Sequence, residues 1–398
     1  MPGSLTRQLP GLLLAVAVLP ALVTSCSHHD ETPAPSPDAS SSKAAASATT
    51  AAPVDPVCAQ VSALSVRDKL AQLVMVGVRD AADARAVVTD HRVGGIFIGS
   101  WTELSMLTDG SLKEIKESQA PTGPLPLAVS VDEEGGRVSR LSSLIGKSPS
   151  AKELAQTSSA EQVRELAAER GRKMADLGIT VDFAPVVDVV DADTDEDTVI
   201  GDRSFGSDPA KVTEYAGAYA QGLRDAGLLP VLKHFPGHGH GSGDSHTAGV
   251  VVTPPLAQLQ DNDLVPYRTL VTEAPVAVMM GHLEVPGLTE DPASLSPAAV
   301  KLLRTGTDYH GPAFDGPVFS DDLSSMAAIT EHYGVAEAVL RSLQAGVDIA
   351  LWVTTDEVPA VLDRLEQAVS AGELKQEAVD ASLARVAAVK KPGTHCHG

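Results

Sequence analysis

Aromatic residues make up only 3% of this 398-residue chain. That is too few for an extended platform on which sugars or bases stack. Cations are also scarce, with 30 Lys and Arg against 52 Asp and Glu and a formal net charge of −22. No basic stripe is left to neutralise phosphates, which excludes a nucleic-acid partner. The acidity supports solubility instead. Three cysteines are too few for a disulfide-dense scaffold. The apolar run at residues 12–23 is too short to cross a bilayer comfortably. The HExxH spacing of zinc hydrolases is missing as well.

What is present begins at the N-terminus. Arg7 precedes the apolar run, which ends in Val23-Thr24-Ser25-Cys26. A short hydrophobic segment before small residues reads as a secretory signal. The small-small-Cys ending resembles a bacterial lipobox, in which Cys26 carries lipid; an ordinary signal peptide with an incidental cysteine is the alternative. Residues 1–25 are thus expected to be a lipoprotein signal peptide. Residues 26–57 are mostly Ser, Ala, Pro, Thr and Asp, with almost nothing to bury, and read as a disordered tether. The expected location is extracytoplasmic, with the protein lipid-anchored to the outer face of the cell membrane. A folded domain is expected over 58–391, with a tail at 392–398. Cys58 and Cys396 flank it, and an oxidising compartment permits a bond between them. Sequence alone does not bring their Cα atoms within reach.

Short apolar runs alternate with helical patterns through the domain. Strands are expected at 73–78, 94–98, 125–131, 181–185, 229–233, 276–280, 318–320 and 348–352. Helices are expected at 161–177 and 210–226, the first with Val163, Leu166, Ala167 and Met174 on one stripe. Alternation of this kind predicts an α/β fold, a single-domain (β/α)8 TIM-type barrel, with an open doubly wound sheet as the alternative. Polar residues favour the barrel, because they cluster where strands end. Asp132, Lys233, His234, His282 and Asp321 then meet on one face. The acidic stretch 188–207 reads as a loop over that face.

The most informative segment is Lys233-His234-Phe235-Pro236-Gly237-His238-Gly239-His240-Gly241-Ser242-Gly243-Asp244-Ser245-His246. It follows an apolar strand and is rich in glycine, which leaves it little intrinsic order. An Asp two residues before a His on such a loop can carry and orient a proton donor. Metal ligation by His238, His240 and His246 is the competing reading.

This segment resembles the signature loop of bacterial β-N-acetylhexosaminidases of glycoside hydrolase family 3. Four other stretches are similar in the same order: Val131-Asp132-Glu133-Glu134-Gly135-Gly136-Arg137-Val138, Gly201-Asp202-Arg203-Ser204-Phe205-Gly206, Met280-Gly281-His282, and Phe319-Ser320-Asp321-Asp322-Leu323-Ser324-Ser325-Met326. The resemblance covers roughly residues 58–390. It implies a retaining exo-β-N-acetylglucosaminidase with no cofactor and no metal. Asp321 is the implied nucleophile, His246 the acid/base and Asp244 its orienting partner. Helix N-capping is the competing role for Asp321 or Asp322. Asp132, Arg140, Arg203, Lys233, His234 and His282 are implied sugar contacts. Arg137 and Arg140 have rim ion pairs with Glu133 or Glu134 as their bland alternative. The implied substrates are peptidoglycan-derived GlcNAc-β-1,4-MurNAc saccharides, and a monomer is expected. A phosphorylase, a catalytically silent wall-glycan-binding lipoprotein and a metal-dependent hydrolase are the competing functions.

Overall fold

A computed structural model describes residues 55–119 and 123–396. The expectations for the signal peptide, Cys26 and most of the tether lie outside the described residues. Within them the strands are β1 (Val74–Val78), β2 (Gly95–Ile98), β3 (Ala128–Val131), β4 (Glu133–Gly135), β5 (Val138–Ser139), β6 (Val181–Asp182), β7 (Leu229–Phe235), β8 (Ala277–Met280), β9 (Val318–Ser320) and β10 (Ala350–Trp352). Eight of them form one parallel sheet in the order β10-β1-β2-β3-β6-β7-β8-β9. The parallel bridge Phe319↔Ile349 joins the two ends. The Ser320 N–H donates to the Ile349 carbonyl at 3.0 Å across the same seam. Neighbours in space are therefore neighbours in sequence around the ring, which defines a (β/α)8 barrel.

The strands are apolar because both faces are covered. Val74–Val78 and Ala128–Val131 are buried at every position. Helices cover the outside. Ala160–Asp176 starts with a capping box, Ser159 with Gln162, and Pro209–Asp225 starts with the Asp208 side chain over the Ala210 N–H and Pro at the first position. Both devices satisfy donors that the first helical turn leaves free. Inside the ring, scarce aromatics are concentrated. Phe183 packs against Phe97 at 5.7 Å and against Phe319 at 5.4 Å between ring centroids.

The domain limits differ from those expected. Helix Pro56–Ser62 is capped by Asp55, whose side chain accepts from the Val57 N–H, so residues 55–57, expected in the tether, are part of a helix and its cap. At the other end, Thr394 is 5% exposed, and Cys396 is bonded to Cys58 with a Cα–Cα distance of 5.2 Å. That part of the expected tail belongs to the folded body. The hairpin β4–β5, which follows β3 directly, was not among the expected strands.

Candidate active site

A cavity of about 450 Å³ opens at the C-terminal ends of the barrel strands. Eight of the expected site residues line it: Asp132, Arg140, Arg203, Lys233, His234, Asp244, His246 and Asp321. Its apolar lining includes Phe97 and Phe183 from the aromatic stack, with Met279 and Leu351.

Asp321 follows β9 directly. Its backbone N–H donates to the Met280 carbonyl at 3.0 Å, so the last barrel hydrogen bonds fix where the carboxylate starts. One carboxylate oxygen accepts the Asp322 N–H at 2.9 Å. Burial acts to raise the Asp321 carboxyl; the charges of His234 and His282, the Asp322 N–H and the charge of His246 outweigh it and hold it at about 2. Asp322 also lines the cavity, but its carboxylate is committed to the following turn. Its oxygens accept from the Ser324 N–H at 2.8 Å and hydroxyl at 2.9 Å and from the Ser325 N–H at 3.2 Å, with the Ser325 hydroxyl as a further donor. It thus caps a turn, not the helix expected near Leu323; the next helix, Ala327–Thr330, begins four residues later.

Asp132, Glu134, Lys233 and Arg203 form one buried ion cluster. The Lys233 ammonium lies 2.6 Å from Asp132 and 2.7 Å from Glu134. Arg203 grips Glu134 through two bonds of 2.8 and 2.9 Å. Such a fork is geometrically specific. Burial alone acts to raise the Glu134 carboxyl, and Arg203 and Lys233 reverse this and hold it well below the usual range. Burial likewise opposes the charge on Lys233, while Asp132 and Glu134 raise its pKa. Asp132 is half-buried and uses only Oδ1 within the cluster, leaving Oδ2 without a hydrogen bond among the described residues. Arg140 makes neither a hydrogen bond nor an ion pair among them, although it lines the cavity. Arg137, by contrast, lies 3.0 Å from Asp202 and donates to the Val199 and Ile200 carbonyls. It holds the 188–207 loop.

The ring Nδ1 of His234 lies 2.7 Å from Asp188. Asp188 also accepts the His234 N–H at 3.2 Å and the His238 N–H at 2.7 Å. Burial acts to raise its carboxyl, but the His234 charge and hydrogen bond bring it below the ordinary range. Asp188 therefore fixes the strand end and the loop start together, a role its sequence position did not announce.

The His-rich loop has two halves. Its first half is packed: His238 is 3% exposed, with Nε2 3.1 Å from the Ser245 hydroxyl. Burial is the largest effect on His238 and lowers its imidazole to about 4. A side chain added at Gly239 would lie 1.8 Å from the Val189 carbonyl oxygen. These early glycines serve close approach, not the general mobility that composition suggested. The second half is open, and it carries the dyad. The Asp244 carboxylate accepts the His246 N–H at 2.9 Å and lies 2.7 Å from its ring Nδ1. Both side chains are exposed, 57% for His246 and 40% for Asp244. The loop rests on the turn after β9, where Ala327 and Ala328 donate to the carbonyls of His246 and Ser245 at 3.3 Å. His240 lies 2.9 Å from Asp263. The three histidines considered as joint metal ligands are thus each held by a different partner.

His282 does not reach the cavity as expected. It is 1% exposed. Its Nδ1 lies 2.6 Å from the Ser294 hydroxyl and its Nε2 2.7 Å from the Asp322 carbonyl. With both nitrogens engaged, it holds the backbone beside Asp321 and leaves no polar atom for a sugar. Glu133 is a second correction. It pairs with Arg170 from helix Ala160–Asp176 at 2.5 Å and not with Arg137 or Arg140. Glu134 pairs with Arg203 and Lys233 inside the cluster and not with a rim arginine; its place in Asp-Glu-Glu after a strand end is the sequence signal for that role.

A parallel barrel with charged residues converging at its C-terminal strand ends is the layout of an enzyme whose specificity lives in its loops. The chain belongs to glycoside hydrolase family 3, among its bacterial β-hexosaminidases: the family model described as Glycosyl hydrolase family 3 N terminal domain matches residues 65–389. The chain is 67% identical to the Mycobacterium tuberculosis protein named Beta-hexosaminidase LpqI, over 97% of its own length and 99% of that protein. The solved structure of M. tuberculosis LpqI superposes with a TM-score of 0.82 at 70% identity, covering 86% of this chain and 98% of that one. A family 3 β-N-acetylglucosaminidase from a Paenibacillus species gives a TM-score of 0.76 at 33% identity, covering 83% of this chain and 62% of that one.

Proposed function

We propose that the protein is a retaining exo-β-N-acetylglucosaminidase that removes non-reducing terminal GlcNAc from GlcNAc-β-1,4-MurNAc fragments of peptidoglycan. The observation that carries this reading is an ionised, backbone-anchored Asp321 in the same cavity as the hydrogen-bonded pair Asp244–His246. In the first step Asp321 attacks the anomeric carbon while the His246 imidazolium gives its proton to the departing sugar oxygen. In the second step water attacks the same carbon, its proton passes to His246, and the Asp321 carboxylate leaves. Two displacements on one carbon retain its configuration. Asp244 fixes the tautomer and orientation of the imidazole.

The remaining residues support sugar binding. Asp132 offers a free carboxylate oxygen, Arg140 an uncommitted guanidinium, and His234 a ring whose other nitrogen is held by Asp188. Lys233 and Arg203 act in large part through the ion cluster. A lipid on Cys26 would keep this chemistry on the outer face of the cell membrane, where wall fragments arise. The test is mass analysis of products from a defined muropeptide, with and without phosphate. Release of free GlcNAc in both buffers supports hydrolysis. GlcNAc 1-phosphate as the product would replace hydrolysis by phosphorolysis, and an unchanged muropeptide would reject the substrate.

A further inference from the structure

Trp101 is the most exposed aromatic side chain on the cavity wall, at 45%. The other tryptophan of the chain, Trp352, is fully buried. Trp101 sits on a turn just after β2, and that turn is fixed. The Thr102 hydroxyl donates to the Val78 carbonyl at 2.6 Å and accepts the Gly99 N–H at 3.0 Å. The indole lies against bare backbone. A Cβ at Gly99 would lie 2.4 Å from Cη2 and Cζ2 and 2.6 Å from Cζ3, and one at Gly77 would lie 2.8 Å from Cζ2. Phe97 meets the ring edgewise at 5.9 Å. Two glycines, a threonine and a phenylalanine thus hold a large apolar ring in place while nearly half its surface remains open.

That surface faces a continuation of the active-site cavity. A second hollow, lined by Arg79, Trp101, Val353, Thr354 and Thr355, shares Trp101 and Val353 with the first. The polar residues Asp132, Lys233, His234 and Asp321 sit at the C-terminal ends of β3, β7 and β9. Val353, Ser325 and Met326 line the same cavity as Trp101 and His246.

We propose that Trp101 is the platform for the sugar on the leaving side of the scissile bond, stacking on the apolar face of that ring. This rests on the reading that the substrate is a β-linked GlcNAc saccharide, but not on its second sugar being MurNAc. An aromatic ring held in advance contributes contact area without an ordering cost, and a stacked contact of this kind is worth roughly tenfold in affinity.

The experiment compares Trp101→Ala and Trp101→Phe with the natural chain on three substrates: GlcNAc-β-1,4-MurNAc, chitobiose and the β-fluoride of GlcNAc. The fluoride has no ring on the leaving side. Trp101→Ala is expected to lower kcat/KM roughly tenfold or more on both disaccharides and to leave fluoride turnover within about twofold; Trp101→Phe is expected to fall between. Adding disaccharide to Asp321→Asn, which binds without turnover, should quench indole emission, and adding it to the Asp321→Asn, Trp101→Phe double variant should not. Should Trp101→Ala fail to fold, the phenylalanine variant and the emission carry the test. Equal losses on fluoride and disaccharides, or none on the disaccharides, would overturn the proposal. If the natural chain cleaves chitobiose but not GlcNAc-MurNAc, the peptidoglycan reading fails, and chitobiose still tests Trp101.

Discussion

Asp321 and Asp322 are neighbours with opposite electrostatic settings. Burial is the leading influence on both, yet surrounding charge and one backbone donor hold Asp321 at about 2, while Asp322 stays raised. Ionisation of Asp321 therefore supports the fold above the unfolded carboxylate value of about 4, and that support is lost as pH falls through about 2. Its protonation does not set the acid limb of activity at ordinary assay pH. Asp321→Ala is expected to lower kcat by roughly 10³-fold or more. Asp322→Ala should lose less activity and more stability, because the turn at Ser324 and Ser325 loses its acceptor. Rates beside melting curves for the two variants check this, and the reversed order would move the nucleophile to Asp322. At the dyad, Asp244→Asn should lower kcat roughly tenfold or more, since the imidazole loses the carboxylate that orients its Nδ1. The double variant with His246→Ala should be little slower than His246→Ala alone. Additive losses would mean that the two residues act separately.

At the scale of elements, the His-rich loop divides the glycines by what surrounds them. Gly239→Ala is expected to cost about 1–3 kcal/mol, because its new methyl meets the Val189 carbonyl. It should also lower kcat roughly tenfold or more by displacing the segment that positions His246. Gly243, with nothing nearer than the Ala248 Cβ at 3.9 Å, should accept alanine with activity within about twofold. Melting temperature and kcat measured on both variants decide the matter; equal effects would mean that the halves of the loop move together. Sequence showed the glycines but not their neighbours, because close approach depends on a carbonyl fifty residues away. The same limit hid Asp188 and the true partners of Glu133 and Glu134, which are long-range pairs. The barrel strands were legible because burial on both faces writes a continuous apolar run, and Asp132, Lys233, His234 and Asp321 were legible because they end those runs. The short hairpin β4–β5 has no such run. His282 sits at a strand end like the others, and only its bonds to Ser294 and Asp322 show that it looks inward to the protein.

At the scale of the whole molecule, the Cys58–Cys396 bond spans 338 residues of sequence. Closing so long a loop stabilises by on the order of 5 kcal/mol in the chain-entropy view. Cys58→Ser is accordingly expected to lower Tm by roughly 5–10 °C while leaving kcat nearly unchanged, since neither cysteine lines the active-site cavity. Thiol counting on unreduced exported protein checks the bond itself, and two free thiols would reject it.

The bond also has a mechanical meaning. It lies three residues inside the point where the described fold begins, and it ties the first helix to the segment just after the last one, Gln376–Lys390. A pull applied to the chain from before Asp55 reaches a covalent link almost at once and passes into the final helix. For tension applied between the two ends of the described fold, the barrel strands between Cys58 and Cys396 are bypassed, because the covalent link carries the load before any strand pairing is pulled.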